Sequence, residues 1–139
     1  MKTGRTFLWL GTMVSLAAFA LVPLASLADG EGKLHAKVVK LESAGQHDTL
    51  LLSGPPETVT MKSGLVVLEP GRTVGKHSTG THEEMLVILE GKGTMMFNDG
   101  GTLEVDPDHI LYCPPDTEHD MTNTGTSVLR YVYIVANAK

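Results

Sequence analysis

The chain contains a single cysteine, Cys113, and this scarcity excludes an internal disulfide bond. Cys113 lies in the apolar, strand-like run ILYC, where a small buried hydrophobic residue is expected. A thiol that acts as a ligand or a nucleophile needs a lowered pKa, and nothing in the surrounding sequence guarantees one. Because no cysteine lies directly after the apolar N-terminal run, the sequence also gives no sign of a lipoprotein anchor.

Basic residues are few. The chain carries 11 lysines and arginines against 16 aspartates and glutamates, which gives a formal net charge of −5. Nucleic-acid binding depends on neutralising phosphates with Lys and Arg. We therefore expect no nucleic-acid partner.

Helical periodicity is absent after residue 28 over the roughly ten residues that a helix needs. Short apolar or alternating runs between turn residues are typical of a sandwich or a barrel. The hairpin signal is strongest at residues 98–101, which read NDGG. The pattern predicts strands at residues 33–40, 58–62, 65–68, 85–89, 94–97, 102–105, 110–113, 121–123 and 128–136.

The N-terminal segment has the pattern of a secretory signal peptide. Lys2 and Arg5 precede an almost unbroken apolar run at residues 7–24, and small residues follow in ASLA. We predict cleavage after Ala28, a periplasmic or secreted location and no membrane association afterwards; an uncleaved anchor is the alternative. The remaining nine basic and 16 acidic residues give a net charge of −7. Residues 29–56 are predicted to form an arm with an edge strand, and residues 57–137 to form the barrel domain.

Two stretches bring histidines and glutamates together with glycine and proline turns. Residues 70–93 read PGRTVGKHSTGTHEEMLVILEGKG, and residues 108–125 read DHILYCPPDTEHDMTNTG. They resemble the two motifs of the cupin superfamily, G-x5-H-x-H-x3,4-E-x6-G and G-x5-P-x-G-x2-H-x3-N. The resemblance covers about half of the predicted mature chain. It implies an all-β fold: a single barrel of the double-stranded β-helix, or jelly-roll, type.

In metal-binding members of that superfamily, histidines and a glutamate from both motifs converge inside the barrel. By resemblance, the ligands here are His77, Glu84 and His119. Thr79 stands where the family has another histidine, and a neutral hydroxyl is a poor replacement for imidazole. In the second motif, Asp108 and Asp116 stand at glycine positions; aspartate tolerates positive φ, so we expect local adjustment without loss of the fold.

The residues themselves suggest a further ligand. If a strand begins at residue 81 or 82, His82 points to the same side as Glu84 and supplies the missing imidazole. A small shift of the strand start instead leaves His82 in a loop facing water. Either ligand set, with or without His82, consists of nitrogen and oxygen atoms that suit Fe(II), Mn(II), Ni(II), Cu(II) or Zn(II). The alternative is that His77 and His119 are ordinary polar residues of a barrel that has lost its metal.

The expected function is therefore an exported cupin that binds a divalent transition metal and a small organic molecule. If it is an enzyme, the resemblance favours dioxygenase chemistry first and isomerase or lyase chemistry second. The alternative is a non-catalytic barrel that holds a sugar or an organic acid without metal. Resemblance also implies a homodimer. Three residues either line an apolar pocket or belong to the core: Leu86, Ile88 and Met121.

Overall fold

The computed structural model describes residues 34–41 and 48–138, and within these ranges the ordered elements are all β-strands. The predicted signal peptide of residues 1–28 lies outside the described residues. No helix in the described part of the chain is long and apolar enough to cross a membrane. The strands are β1 (Thr49–Ser53), β2 (Lys62–Leu68), β3 (His77–Ser78), β4 (His82–Glu90), β5 (Gly93–Phe97), β6 (Thr102–Val105), β7 (Ile110–Cys113), β8 (Glu118–Asn123) and β9 (Leu129–Asn137).

The strands form two antiparallel sheets. The five-stranded sheet has the order β1-β2-β9-β4-β7, and the four-stranded sheet has the order β3-β8-β5-β6. Burial alternates along β4 and β8, because successive side chains point to opposite faces of a sheet. The inward residues of both sheets form one apolar core, which includes Leu86, Ile88, Leu129, Met95 and Met121. This all-β architecture is the predicted one.

Two tight turns use aspartate where glycine is usual. Asp108 and Asp116 have φ angles of 69° and 57°, in the left-handed region that few side chains other than Asn and Asp adopt. The expectation that aspartate is tolerated at both positions is confirmed. After β8, the buried side chain of Asn123 donates hydrogen bonds to the carbonyls of Leu68 and Ser127, each at 2.8 Å, and accepts one from the backbone N–H of Gly125.

The predictions for the N-terminal strands need correction. Residues 34–40 contain no strand, and the edge strand of the five-stranded sheet is β1, further along the chain. Residues 58–61 form bends and a coil in place of the predicted strand, and β2 begins at Lys62. The leucine run of β1 pairs with β2 because it offers consecutive strand-forming residues next to an unpaired sheet edge. The strands predicted from residue 85 onward are confirmed, with β4 and β8 beginning three residues earlier.

Candidate metal and ligand site

Three predicted ligands meet between the two sheets. Glu84 lies on β4 of the five-stranded sheet, whereas His77 and His119 lie on β3 and β8 of the other. One ligand atom from each residue lies within 4.8 Å of the others. His119 Nε2 is 3.1 Å from Glu84 Oε2. A nitrogen–nitrogen–oxygen set therefore forms from His77, Glu84 and His119, which come from both motifs, as the resemblance implies.

Strand pairing explains why the two histidines lie together. His77 is directly opposite His119 in the antiparallel pair of β3 and β8. Their ring centroids are 4.4 Å apart, and the ring planes meet at 62°. His119 is 1 % exposed, whereas His77 is exposed at the barrel surface. One side of the cluster is thus buried and the other is open to solvent.

Backbone carbonyls orient both imidazoles. The Nδ1 atom of His77 lies 2.9 Å from the carbonyl of Gly75, and that of His119 lies 3.1 Å from the carbonyl of Thr117. A carbonyl only accepts, so each Nδ1 carries a proton and each Nε2 is the ring atom that can face a metal. In His119 this Nε2 faces Glu84 and carries a proton when it donates to the carboxylate, so a metal would replace that proton. Metal-ligating histidines typically donate their second ring nitrogen in this way. The residues present therefore fit a divalent metal, with three protein ligands and further coordination positions open to other molecules.

Glu84 also favours a positive charge at this place. Its hydrogen bond to His119 raises the pKa of the imidazole, and burial opposes that rise. A carboxylate that stabilises an imidazolium stabilises a metal cation by the same attraction.

The hydroxyl of Thr79 both donates and accepts a hydrogen bond with the backbone. The hydroxyl donates to the carbonyl of Pro114 at 2.8 Å and accepts from the backbone N–H of Thr117 at 2.9 Å. The side chain is 8 % exposed. Thr79 thus holds the loop between β7 and β8, and through Thr117 it supports the carbonyl that orients His119. Residue type and spacing alone do not reveal this role.

His82 begins β4 and lies on the same face as Glu84, which is the first of the two alternatives left open by the sequence. It is half-buried and lines the same cavity as Glu84 and His77. It does not belong to the group of three whose ligand atoms lie within 4.8 Å of one another. A ligand role for His82 therefore remains a prediction.

A cavity of about 350 Å³ opens beside the cluster. Leu86, Ile88 and Met121, which were candidates for its wall, are at most 2 % exposed and belong to the core. The apolar and aromatic wall instead contains Val74 of the first motif and four residues that the motifs do not cover: Val66, Tyr131, Tyr133 and Val135. The signal that could have found three of them is the alternation along β9, which places Tyr131, Tyr133 and Val135 on one face.

Arg130 does not line this cavity. It lies between Leu129 and Tyr131, on the outer face of β9, where it approaches Glu90 at 3.4 Å. Arg130 therefore offers no positive charge to a molecule in the cavity.

Two antiparallel sheets that enclose a His/Glu cluster define a small β-barrel protein with a candidate metal site. The sequence profile of the cupin domain matches residues 64–135, just over half of the chain, and the protein belongs to the cupin family. A comparison with curated proteins gives no significant match.

Solved cupin structures resemble the chain in fold. The cupin domain of Cnp3 from Schizosaccharomyces pombe aligns with a TM-score of 0.59 and 20% identity, over 65% of this chain and 63% of that domain. The chain thus spans less than two thirds of that relative. A predicted oxalate decarboxylase from Thermotoga maritima aligns with a TM-score of 0.60 and 23% identity, over 65% of this chain and 78% of that one. An RmlC-like cupin with a double-stranded β-helix fold from Methanocaldococcus jannaschii aligns with a TM-score of 0.63 and 18% identity, over 76% of this chain and 94% of that one. Such identities speak for the fold alone.

Proposed function

We propose that this cupin binds one divalent transition metal through His77, Glu84 and His119 and holds a small organic molecule in the cavity beside it. The convergence of three donor atoms within 4.8 Å is the observation that carries the proposal. Two of these residues, His77 and Glu84, also line the cavity, so a ligand there would meet the metal. The metal would be Fe, Mn, Ni, Cu or Zn, all of which accept nitrogen and oxygen ligands.

A bound metal would supply Lewis acidity, or a place for dioxygen beside the substrate. The chain's own residues would orient the ligand and exclude water from it with an apolar wall. On this basis dioxygenase chemistry is the first enzyme class to test, with isomerase or lyase chemistry second. The structural neighbour described as a predicted oxalate decarboxylase carries a lyase name, but the likeness extends to fold only.

The second candidate is a non-catalytic barrel that binds a sugar or an organic acid without metal. Thr79 favours it, because the position of the family's additional histidine is occupied by a side chain that is already committed to the backbone. Under this proposal the pair of His119 and Glu84 is an internal hydrogen-bonded pair.

Metal content separates the two candidates. The full chain is purified without chelators, and its metals are measured by mass spectrometry beside His77→Ala, Glu84→Gln and His82→Ala. His109→Ala is the matched control, because His109 is an exposed histidine paired with Asp106 outside the cluster. Near-stoichiometric metal in the wild type and the control, lost in His77→Ala and Glu84→Gln, supports the metal site. No metal after reconstitution with all five ions contradicts it and leaves the binding barrel; oxygen consumption then tests turnover in a metal-loaded protein.

We also propose export to the periplasm or beyond, on the signal-peptide pattern of residues 1–28. N-terminal sequencing of the protein from its host gives the answer directly. A mature chain that starts at Asp29 supports export, whereas a chain that retains Met1 or Lys2 contradicts cleavage.

A homodimer is the proposed assembly, and the outer face of the five-stranded sheet is its proposed interface. Strand register places two rows of apolar side chains there, one formed by Ile134, Met85 and Tyr112 and the other by Val132, Val87 and Ile110. Ile110 and Tyr112 are 70% and 57% exposed, which is unusual for large apolar residues on a strand. Light scattering should show a dimer that Val87→Glu converts to a monomer; a monomeric wild type contradicts the assembly.

A further inference from the structure

Two tyrosines of β9 form part of the wall that faces the metal cluster. Tyr131 pairs with Val66 and Ile88 on the neighbouring strands, and Tyr133 pairs with Gly64 and Leu86. Both rings line the same cavity as Glu84. Neither tyrosine belongs to the motifs on which the metal site depends.

No hydrogen bond within the described ranges involves the hydroxyl of Tyr131 or Tyr133. Tyr131 is only 3 % exposed, yet neither hydroxyl is a fully enclosed unpaired group, so both are accessible from the cavity. A buried tyrosine usually satisfies its hydroxyl, because an unpaired polar group inside a protein is unfavourable. Burial and then the charge of Glu84 raise the pKa of both phenols, so both remain protonated donors. Each hydroxyl is therefore available to donate to water or to a molecule in the cavity.

Gly64 makes room for one of these rings. A Cβ atom at Gly64 would lie 2.5 Å from Cε1 of Tyr133 and 2.7 Å from its hydroxyl oxygen, closer than atoms can approach. No positive φ requires glycine at this position. Glycine in the middle of a strand is unfavourable for stability. At Gly64 it is required because the aromatic ring of Tyr133 occupies the space that a Cβ atom would need. The chain therefore specifies where Tyr133 lies.

The charges around the cavity limit what it can hold. No lysine or arginine lines it, and Glu84 is the one carboxylate among the lining residues. A divalent metal and Glu84 together leave one positive charge, which a singly negative ligand neutralises. A second negative charge on the ligand would be left near Glu84 without a cation, which is strongly unfavourable in a partly buried site. Val66, Val74 and Val135 offer an apolar surface for the rest of the ligand.

We infer that Tyr131 and Tyr133 are ligand-positioning residues that donate hydrogen bonds to an oxygen acid, and that the ligand is a small organic acid with one negative charge and an apolar body. This inference rests on the proposed metal site. Sugar phosphates and dicarboxylates are excluded as ligands, because each brings a second charge that the cavity does not pair.

Two probes that differ by one group test the charge rule. 3-Methylbutanoate carries one carboxylate and a branched apolar body, and 2-methylsuccinate replaces one of its methyl groups with a second carboxylate. Calorimetry on the full chain, loaded with Zn(II) at neutral pH, should show 3-methylbutanoate binding at least roughly tenfold more tightly. Equal or tighter binding of the diacid, or no binding of either probe, overturns the inference.

Single hydroxyl deletions test the tyrosines. Tyr131→Phe and Tyr133→Phe should each weaken 3-methylbutanoate about three- to tenfold, the effect of one lost hydrogen bond. Both should keep the wild-type metal content and a Tm that is unchanged or higher, because the deleted hydroxyl has no partner in the described chain. Tyr112→Phe is the matched control; its exposed hydroxyl donates to Glu83 on the outer face, and its affinity should equal that of the wild type.

The outcomes separate the two proposals, because metal content is measured on every sample. A wild type that holds no metal refutes the metal site. A metal-loaded wild type whose tyrosine variants bind 3-methylbutanoate as tightly as it does refutes the role of the tyrosines and leaves the metal site standing. A fall in Tm without a loss of affinity would assign the tyrosines to the core alone and would also overturn the inference.

Discussion

Removal of one hydroxyl should both destabilise the barrel and weaken its metal site. Thr79→Val keeps the shape of the side chain but loses two hydrogen bonds, one to the carbonyl of Pro114 and one from the N–H of Thr117. Each such bond contributes about 0.5–1.5 kcal/mol, and a buried N–H left unpaired adds a penalty of about 1–3 kcal/mol. We expect the free energy of unfolding to fall by about 2–3 kcal/mol, or Tm by roughly 10–15 °C in a domain of this size.

The effect on metal follows from Thr117. The Thr117 carbonyl orients His119, and the Thr79 hydroxyl holds the Thr117 N–H. Thr79→Val should loosen this carbonyl but not release it, because the backbone N–H of Thr79 still donates to it at 3.1 Å. Loss of a group that hydrogen-bonds a metal ligand directly typically weakens metal binding tenfold or more. Thr79 acts on His119 only through Thr117, so we expect Thr79→Val to weaken metal binding about tenfold or less. Thr79→Ser keeps the hydroxyl and is the matched control, with stability within about 1 kcal/mol of the wild type.

The assays are denaturant unfolding of the metal-free protein and competitive metal titration of the folded protein. Wild-type stability and metal affinity in Thr79→Val would refute the reasoning. Thr79→His gives an independent check, because it restores the imidazole of the family motif at the expense of both hydrogen bonds. Tighter metal binding by Thr79→His without a loss of stability would show that Thr79 is a vacated ligand position and that its hydrogen bonds matter little.

Three further predictions concern residues that are buried or packed inside the barrel: Gly64, Cys113 and Asn123. Gly64→Ala should displace the Tyr133 ring and weaken the binding of 3-methylbutanoate, while the metal content stays constant. Unchanged affinity would contradict the inference that Gly64 fixes the position of Tyr133. Burial and then Glu84 raise the pKa of the Cys113 thiol to about 11 from an ordinary value of 9.0, so the folded state holds this proton more tightly than the unfolded state. Unfolding free energy should therefore fall between pH 9 and 11, by up to about 2–3 kcal/mol from this thiol; Cys113→Val should lose that part of the slope, and an identical slope in the variant would argue against it. Asn123→Ala removes three hydrogen bonds of a residue that is 1 % exposed and should lower stability by about 3 kcal/mol, measured by urea unfolding; a change below 1 kcal/mol would show that water replaces them.

The sequence predicts the later strands well because their signals are local. Asn98 and Asp99 precede two glycines and produce the turn between β5 and β6, and alternation marks β4 and β8. The first strand was misplaced because residues 33–40 and 49–53 offer similar short apolar runs. The feature that distinguishes the two runs is pairing with the edge of β2. That edge exists only once the sheet has formed, so a local sequence pattern does not reveal it.

The site divides in the same way. His77, Glu84 and His119 could be named from the resemblance to the two cupin motifs, and the structure brings their ligand atoms together. Thr79 could not be interpreted, because its partners Pro114 and Thr117 are more than 30 residues away. The motifs report which residues occupy ligand positions, but not which hydrogen bonds those residues make.

The division between motifs and wall has a consequence for specificity. The proposed ligands come from β3, β4 and β8, within the two motifs, whereas Tyr131, Tyr133 and Val135 come from β9, which follows the second motif. Substitutions along the inner face of β9 can therefore change the shape and the donors of the cavity without touching a ligand atom. For this reason a resemblance carried by the motifs supports a metal site but leaves the ligand open. The charge and hydrogen-bonding capacity of β9 and its neighbours are what favour a singly charged organic acid in this barrel.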